Sequence, residues 1–309
     1  MTRAVRRFVS GRPLAKVEPA GETGYRRAPM ILRLVCTALV AAALAGCAGR
    51  RAATRGVPPP PAVAPVDARV PDFATKPYAP FSREDAVAIA LREWRLFGSP
   101  VDDDPPGARP LADPEQKPER QPGLWQRVGE YWYVGQDPRL PEGDWTGKHD
   151  EFGRVFPADQ DGQYPWSAAF ISYVMRIAAA GDRFPYSPSH SDYINVGRQM
   201  SLGWTSGYVV WAERPDAYAP GPGDLICFGR LTAARLRFSD LPTGRFPSHC
   251  SIVTATGPND LDVVGGNVDD AVTLTHVPVT ADGRLAGPDG VVLDYRYPWF
   301  VVLRVLYDR

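Results

Sequence analysis

The chain has 309 residues with 35 basic and 35 acidic side chains, so its formal net charge is zero. Residues 1–47 carry eight of the basic and two of the acidic residues, which leaves residues 48–309 with a net charge of −6. This negative charge argues against nucleic acid as a partner, because phosphate binding relies on clustered lysine and arginine.

The N-terminal region has the pattern of an export signal. Residues 34–46 form an apolar run that suits a signal-peptide core but is too short to span a bilayer, which needs about 20 residues. Residues 44–47 (LAGC) resemble the lipobox of bacterial lipoproteins, whose cysteine becomes the acylated N-terminus. The resemblance implies that residues 1–47 are a lipoprotein signal peptide and that Cys47 anchors the protein in a membrane.

The start of the chain and its final location are open to alternatives. Met30 begins a compact basic-then-apolar segment, so it is a second candidate for the start of translation. An ordinary signal in which Cys47 has no special role is the alternative to lipidation. By resemblance to lipoprotein sorting, Ala48 stands where an aspartate would retain the protein in the inner membrane. We therefore expect an outer-membrane lipoprotein that faces the periplasm.

A tether and one folded domain follow the signal. Residues 48–80 are rich in Ala, Pro and Arg and show neither helical nor alternating apolar periodicity, which is typical of an extended, disordered linker. Residues 81–309 are long enough for one domain with a sizeable core.

The first half of this domain carries apolar residues at helical spacing. Ser82 is followed three residues later by Asp85 and then by periodic apolar residues, which predicts a capped helix over residues 82–96. Residues 124–132 place apolar and aromatic side chains on one helical face and predict a second helix. Between them, residues 100–122 are rich in Pro and Asp and predict a loop.

The second half has short β-branched or aromatic runs that are separated by Gly, Pro and Asp. These runs predict strands at residues 224–229, 248–255, 261–264, 271–277 and 299–306. Helices followed by strands predict an α+β domain, with N-terminal helices packed on an antiparallel sheet.

Ser167 lies where an apolar helix is predicted to begin and to end near Gly181. The free N–H groups and the positive dipole of a helix N-terminus can stabilise a nucleophile or an oxyanion. Serine is also a preferred N-cap residue, and on position alone this structural role explains Ser167 better.

Several motifs resemble those of papain-like cell-wall hydrolases, the group that includes CHAP domains and NlpC-like peptidases. Residues 166–171 (WSAAFI) resemble their Trp-Cys-Ala-Ala-Phe-Val motif, with Ser167 in the place of the cysteine nucleophile. Residues 222–226 (PGDLI) resemble the turn and strand that follow the first helices, and residues 248–253 (SHCSIV) resemble the strand of the catalytic histidine. Asn267, after two glycines, matches the position of the orienting third residue.

Together with residues 184–190 (FPYSPSH), these motifs resemble an uncharacterised bacterial family, domain of unknown function 2272, over most of residues 81–309. The resemblance implies a papain-like fold with Ser167 as nucleophile, His249 as general base and Asn267 as the residue that orients the imidazole. A serine hydroxyl stays protonated near neutral pH, whereas a cysteine beside histidine can ionise, so activity does not follow from the resemblance alone.

Each of these residues also has an alternative role. His249 could be a half-buried strand residue bonded to the backbone, and Asn267 could be a turn residue that tolerates a left-handed conformation. His190, near the start of a further predicted helix, is a rival base. Trp166, His190 and Arg245 are candidates for substrate binding, the last because an arginine-bearing loop above the cleft could pair with carboxylates.

The cysteines and histidines give no sign of a metal or other cofactor. Cys36 lies in the signal, which leaves Cys227 and Cys250 in a compartment where disulfides form, although their pairing stays open. The histidines lack zinc-site spacing, and no C-x-x-C occurs. Cys250 is a poor substitute nucleophile, because strand alternation points it away from the face of His249.

Two functions follow from the sequence. The first is a lipid-anchored periplasmic amidohydrolase or peptidase that cuts amide bonds in peptidoglycan or its stem peptides. The second is an inactive descendant of the same fold that binds cell-wall peptides or an envelope protein. The serine at position 167 favours the second, whereas the residue types at positions 167, 249 and 267 all suit acyl transfer.

Overall fold

The computed structural model describes residues 79–106, 108, 113–135 and 154–308. The predicted signal peptide, Cys47 and the predicted tether as far as residue 78 lie outside the described residues. In the part that is described, no helix is both long and apolar enough to cross a membrane.

In the described residues, four α-helices form one layer of the domain. They are α1 (Arg83–Leu96), α2 (Leu124–Gly135), α3 (Ser167–Ile177) and α4 (His190–Ser201). Ser82 is the N-cap of α1, and its side-chain oxygen accepts a hydrogen bond from the Asp85 N–H at 3.0 Å. The predicted capped helix is thereby confirmed.

The described strands number six and form the second layer as one antiparallel sheet in the order β1-β6-β2-β3-β4-β5. The strands are β1 (Val210–Glu213), β2 (Leu225–Gly229), β3 (Ser248–Thr256), β4 (Asp260–Val268), β5 (Ala271–Pro278) and β6 (Trp299–Val305). The α+β prediction is confirmed. Strand β1 is not predicted from the sequence, because four residues at a sheet edge carry too little alternation to be recognised. Strand β4 extends beyond its predicted end at residue 264.

The two faces of the sheet are buried in different ways. Alternate residues of β3 separate cleanly: Cys250 and Ile252 join the core that packs against the helices, whereas Val253 joins a second apolar cluster. This second cluster includes Val279 and Leu285 and contains no helix residue of the described chain. His249 and Val253 are four residues apart on the strand, so their side chains point to the same face of the sheet, the one without helices.

Cys227 and Cys250 form a disulfide between β2 and β3. They are directly paired across the two strands and fully buried on the helix-facing side of the sheet. The sequence alone did not decide whether these two cysteines pair, and the structure shows that they do. It also removes Cys250 as a thiol.

A buried carboxylate joins the first three helices. Glu93 of α1 is fully buried and accepts hydrogen bonds from the Tyr131 hydroxyl at 2.7 Å and from the guanidinium groups of Arg127 and Arg92. Arg127 also donates to the Tyr173 hydroxyl of α3 at 2.8 Å. Because the charge is paired and fully hydrogen-bonded, its burial is tolerated, and loss of one partner would leave the others unsatisfied.

We expect Glu93→Gln to lower the free energy of unfolding by about 3 kcal/mol, since it removes the buried carboxylate partner of Arg127, which then keeps only the partly exposed Glu130. Glu84→Gln, at an exposed position of the same helix, is the matched control and should change stability by less than about 1 kcal/mol. Urea unfolding of the two purified variants measures both values. Equal stabilities for the two variants would contradict the role of this cluster.

Candidate functional site

Ser167 is the first residue of α3, and Trp166 is its N-cap. The first backbone hydrogen bond of the helix runs from the Phe170 N–H to the Trp166 carbonyl at 3.0 Å. The preceding N–H groups, at positions 167–169, therefore have no acceptor within the helix and form its positively polarised end. Ser167 is the first helical residue and not the N-cap, so the capping role that its position suggested does not apply.

Trp166 anchors the start of α3 from inside the protein. It is fully buried, and its indole N–H donates to the Glu119 carboxylate at 2.6 Å. The Glu119 backbone N–H in turn donates to the Asp270 carbonyl at 2.9 Å, in the turn between β4 and β5. Trp166, predicted as a substrate-binding residue, therefore supports the helix rather than facing solvent.

Two consecutive glycines of β4 allow the layers to approach closely. A Cβ atom at Gly266 would lie 2.6 Å from the Phe170 Cβ and 2.9 Å from the Trp166 ring. A Cβ atom at Gly265 would lie 2.9 Å from the His249 ring and 2.7 Å from the Ser251 hydroxyl, on the other face of the sheet. Neither position has room for a side chain, so these glycines are required by packing.

The structure pairs Ser167 with His190 rather than with His249. The Ser167 Oγ lies 2.7 Å from His190 Nε2, and His190 Nδ1 is hydrogen-bonded to the Tyr193 hydroxyl. His190 and Tyr193 are three residues apart in the first turns of α4 and so share one face of the helix. Tyr193 was not among the predicted site residues; its spacing from His190 is the signal that could have identified it.

Burial keeps this group uncharged. The desolvation of the buried ring, together with the nearby His249 and Arg230, lowers the pKa of His190 well below 6.5. Burial also raises the pKa of the Tyr193 phenol well above 10. When the neutral imidazole carries its proton on Nδ1, that N–H donates to Tyr193 and Nε2 accepts the Ser167 proton, as a general base requires. When the proton is on Nε2 instead, His190 donates to Ser167 Oγ, and its Nδ1 accepts a hydrogen bond from the Tyr193 hydroxyl.

His249 lies beside this group and is not hydrogen-bonded to Ser167. Its Nε2 is hydrogen-bonded to the Ser251 hydroxyl at 3.2 Å, and its ring centroid is 5.3 Å from that of His190. Burial, and to a lesser degree the charge of Arg230, lowers the pKa of His249 to about 3. Ser251 is a further site residue that the sequence analysis missed.

Asn267 has a left-handed backbone with φ +57°, at an irregularity in the pairing of β4 with β5. Within the described part of the chain, its side chain forms no hydrogen bond with His249. The structure therefore brings Ser167 and His190 together, sets His249 next to His190, and gives Asn267 no hydrogen bond to the His249 ring.

A cleft of about 740 Å³ opens on the sheet face that lacks helices. Ser167 and His190 do not line it, whereas His249 and Asn267 do. Its other walls come from strand residues and from loops on either side: Asp102, Asp104, Phe228, Arg230, Leu231, Ser251, Asp269, Tyr297 and Trp299. No group of three metal-ligating side chains occurs among the residues described.

Arg245 serves a different purpose from the one expected. Its guanidinium contacts both carboxylate oxygens of Asp192 in α4, at 3.1 and 2.8 Å, and it does not line the cleft. The pair ties the arginine-bearing loop to α4, close to His190.

Comparison with protein families finds a match that covers most of the folded domain. The family described as "uncharacterized protein conserved in bacteria (DUF2272)" matches residues 119–305, which is more than half of the chain. The chain belongs to the DUF2272 family. The residues matched by the DUF2272 family include Ser167, His190, His249, Asn267 and most of the cleft lining. Comparison with curated proteins and with solved structures finds no significant match.

We expect both buried histidines of this DUF2272 domain to remain neutral between pH 8 and pH 5. The unfolded chain binds protons below pH 6.5 and the native rings do not, so the free energy of unfolding falls as the pH drops, by up to about 1.4 kcal/mol per pH unit for each ring. NMR of ¹⁵N-labelled histidine measures the titration. The control is His276, whose pKa is raised by its hydrogen bond to Asp103. Titration of His190 or His249 near pH 6.5 would contradict the expectation.

We expect Gly266→Ala to destabilise the DUF2272 domain by about 1–3 kcal/mol, because the added methyl group overlaps Phe170 and Trp166. Gly244→Ala is the matched control, since a Cβ atom there meets no atom within 4 Å and φ is not positive. Thermal unfolding of both variants measures the difference. Unchanged stability of Gly266→Ala would contradict the close packing of α3 on β4.

Proposed function

We propose that this domain is a serine-dependent amidohydrolase in which Ser167 is the nucleophile and His190 the general base. The single observation that carries the proposal is the 2.7 Å contact between Ser167 Oγ and His190 Nε2 at the N-terminus of α3. A nucleophile and a base within hydrogen-bond reach, with a third group behind the base, are the arrangement that acyl transfer uses. Tyr193 takes the place of that third group.

The chemistry would proceed in two steps. His190 Nε2 accepts the hydroxyl proton as Ser167 Oγ attacks the carbonyl carbon of an amide, and the N–H groups at the start of α3 stabilise the oxyanion. The imidazolium then gives its proton to the leaving amine, and water hydrolyses the resulting ester by the reverse sequence. In this proposal His249 is a neighbour of the base and not the base itself.

The resemblance to papain-like cell-wall hydrolases supports an amide bond of peptidoglycan or its stem peptides as the substrate. The lipobox-like residues 44–47 support a lipid anchor at Cys47 and an outer-membrane location facing the periplasm, where that substrate lies. Both remain part of the proposal.

A second candidate is a binding protein on the same scaffold, and two observations favour it. Ser167 is only 4% exposed and does not line the cleft, so a substrate would need to displace part of the wall near His249. In addition, His190 bonds to a neutral phenol and not to a carboxylate, which gives little support to the imidazolium that catalysis forms.

Digestion of purified peptidoglycan by the full chain, with mass spectrometry of the released products, separates the two candidates. For the hydrolase we expect products from the natural protein and a loss of about 10³-fold or more in Ser167→Ala and in His190→Gln. His249→Gln should retain activity. Ser172→Ala is the matched control, because Ser172 is equally buried in α3 and bonds only within the scaffold, to Ser187.

Full activity in Ser167→Ala would refute the proposed nucleophile. Loss in His249→Gln with retention in His190→Gln would restore His249 as the base. Absence of products from the natural protein, together with cleavage by Ser167→Cys, would favour the binding candidate.

A further inference from the structure

Arg230 is a cation of the cleft lining that has no anionic partner among the described residues. It directly follows β2, its side chain is exposed, and it lines the cleft. Its guanidinium forms no ion pair or side-chain hydrogen bond with any residue of the described ranges. By contrast, Arg296, the other arginine of the cleft wall, is paired with Asp294 and Asp103.

The backbone around Arg230 is held firmly. The Arg230 N–H donates to the Pro247 carbonyl at 2.9 Å, and the turn at residues 231–233 folds so closely over Gly229 that a Cβ atom there would overlap the Ala233 carbonyl. Leu231 has a positive φ of 50° and is 82% exposed, although it carries a large apolar side chain. A strained, exposed leucine beside an unpaired arginine is a feature that binding sites retain at a cost in stability.

Aromatic rings line the cleft near Arg230. Phe228 packs against Tyr297 at 4.8 Å and against Trp299 at 4.9 Å between ring centroids, and all three residues line the cleft. Such a surface binds apolar groups, and the few polar groups at its edge set the orientation of the ligand.

The cleft lining also holds carboxylates. Asp269 and Asp270 follow β4, two strands away from Arg230 and at the same end of the sheet, which corresponds to about 10 Å. Asp270 is paired with Lys117, and two further aspartates line the cleft. A negative group of the ligand is therefore favoured beside Arg230 rather than beside these carboxylates, and a single arginine matches the charge of one carboxylate.

We propose that the cleft binds a peptide-like carboxylate, with the carboxylate on Arg230 and an apolar group between Leu231 and the rings of Phe228, Tyr297 and Trp299. This binding does not depend on Ser167 being a nucleophile. It therefore holds for either candidate function.

Isothermal titration of the full chain with N-acetyl-Ala-Ala-Phe and with its C-terminal amide tests the assignment. We expect the acid to bind at least about tenfold more tightly than the amide, as a charge-assisted hydrogen bond implies. Arg230→Gln should remove this preference, whereas Arg235→Gln, at an exposed position of the same loop outside the cleft, should preserve it. The same preference in Ser167→Ala would show that binding is independent of catalysis.

Equal affinity for the acid and the amide, an unchanged preference in Arg230→Gln, or no binding of either peptide at millimolar concentration would overturn the proposal. Inorganic phosphate is the competing anion, and tighter binding of phosphate than of the acid would also overturn it. If the protein hydrolyses peptidoglycan but does not bind the acid, this inference fails and the proposed function stands. If it binds the acid but has no hydrolase activity, the proposed function fails and this inference stands.

Discussion

The arrangement of the site depends on the close contact between α3 and β4 at Gly266. Because Gly266 lacks a side chain, Trp166 and Phe170 pack directly on the strand, and the N-terminus of α3 comes to lie against the sheet. On the other face of the sheet, the lack of a side chain at Gly265 leaves room for the His249 ring. Because consecutive residues of a strand face opposite sides, the two glycines leave room for Trp166 and Phe170 on one side of β4 and for His249 on the other.

This arrangement separates the Ser167–His190 pair from the open cleft. Ser167 and His190 belong to the helical layer, whereas the cleft opens on the other face of the sheet. His249 is the residue that relates the two, since its ring lies near His190 and also lines the cleft wall. A ligand in the cleft would therefore reach His249 before it reaches Ser167. Any catalytic role for Ser167 requires movement of the wall between them.

Local signals in the sequence were sufficient for most of the fold. The Ser82 cap, the helical aromatic face at residues 124–132 and the β-branched runs of the second half correctly predicted helices and antiparallel strands, because each pattern depends on neighbouring residues. Strand β1 was not predicted from the sequence, because it has only four residues. The glycines of β4 resembled a turn, and only their contacts with α3 explain why they lie inside a strand.

The partner of Ser167 could not be predicted in the same way, because it depends on contacts between distant elements. The motif order favoured His249, but Cys250 and its disulfide occupy the helix-facing side of β3, so His249 turns to the other face. His190 reaches Ser167 because α4 begins beside α3.

The identity of the residue at position 167 is consistent with this environment. A thiolate and an imidazolium would place two charges among buried groups with only a phenol as further partner, which is costly without additional hydrogen bonds. A serine hydroxyl and a neutral histidine carry no charge at rest, so they can be buried together at little cost. The proposed reaction would create charge at this site only transiently, beside the N–H groups at the start of α3.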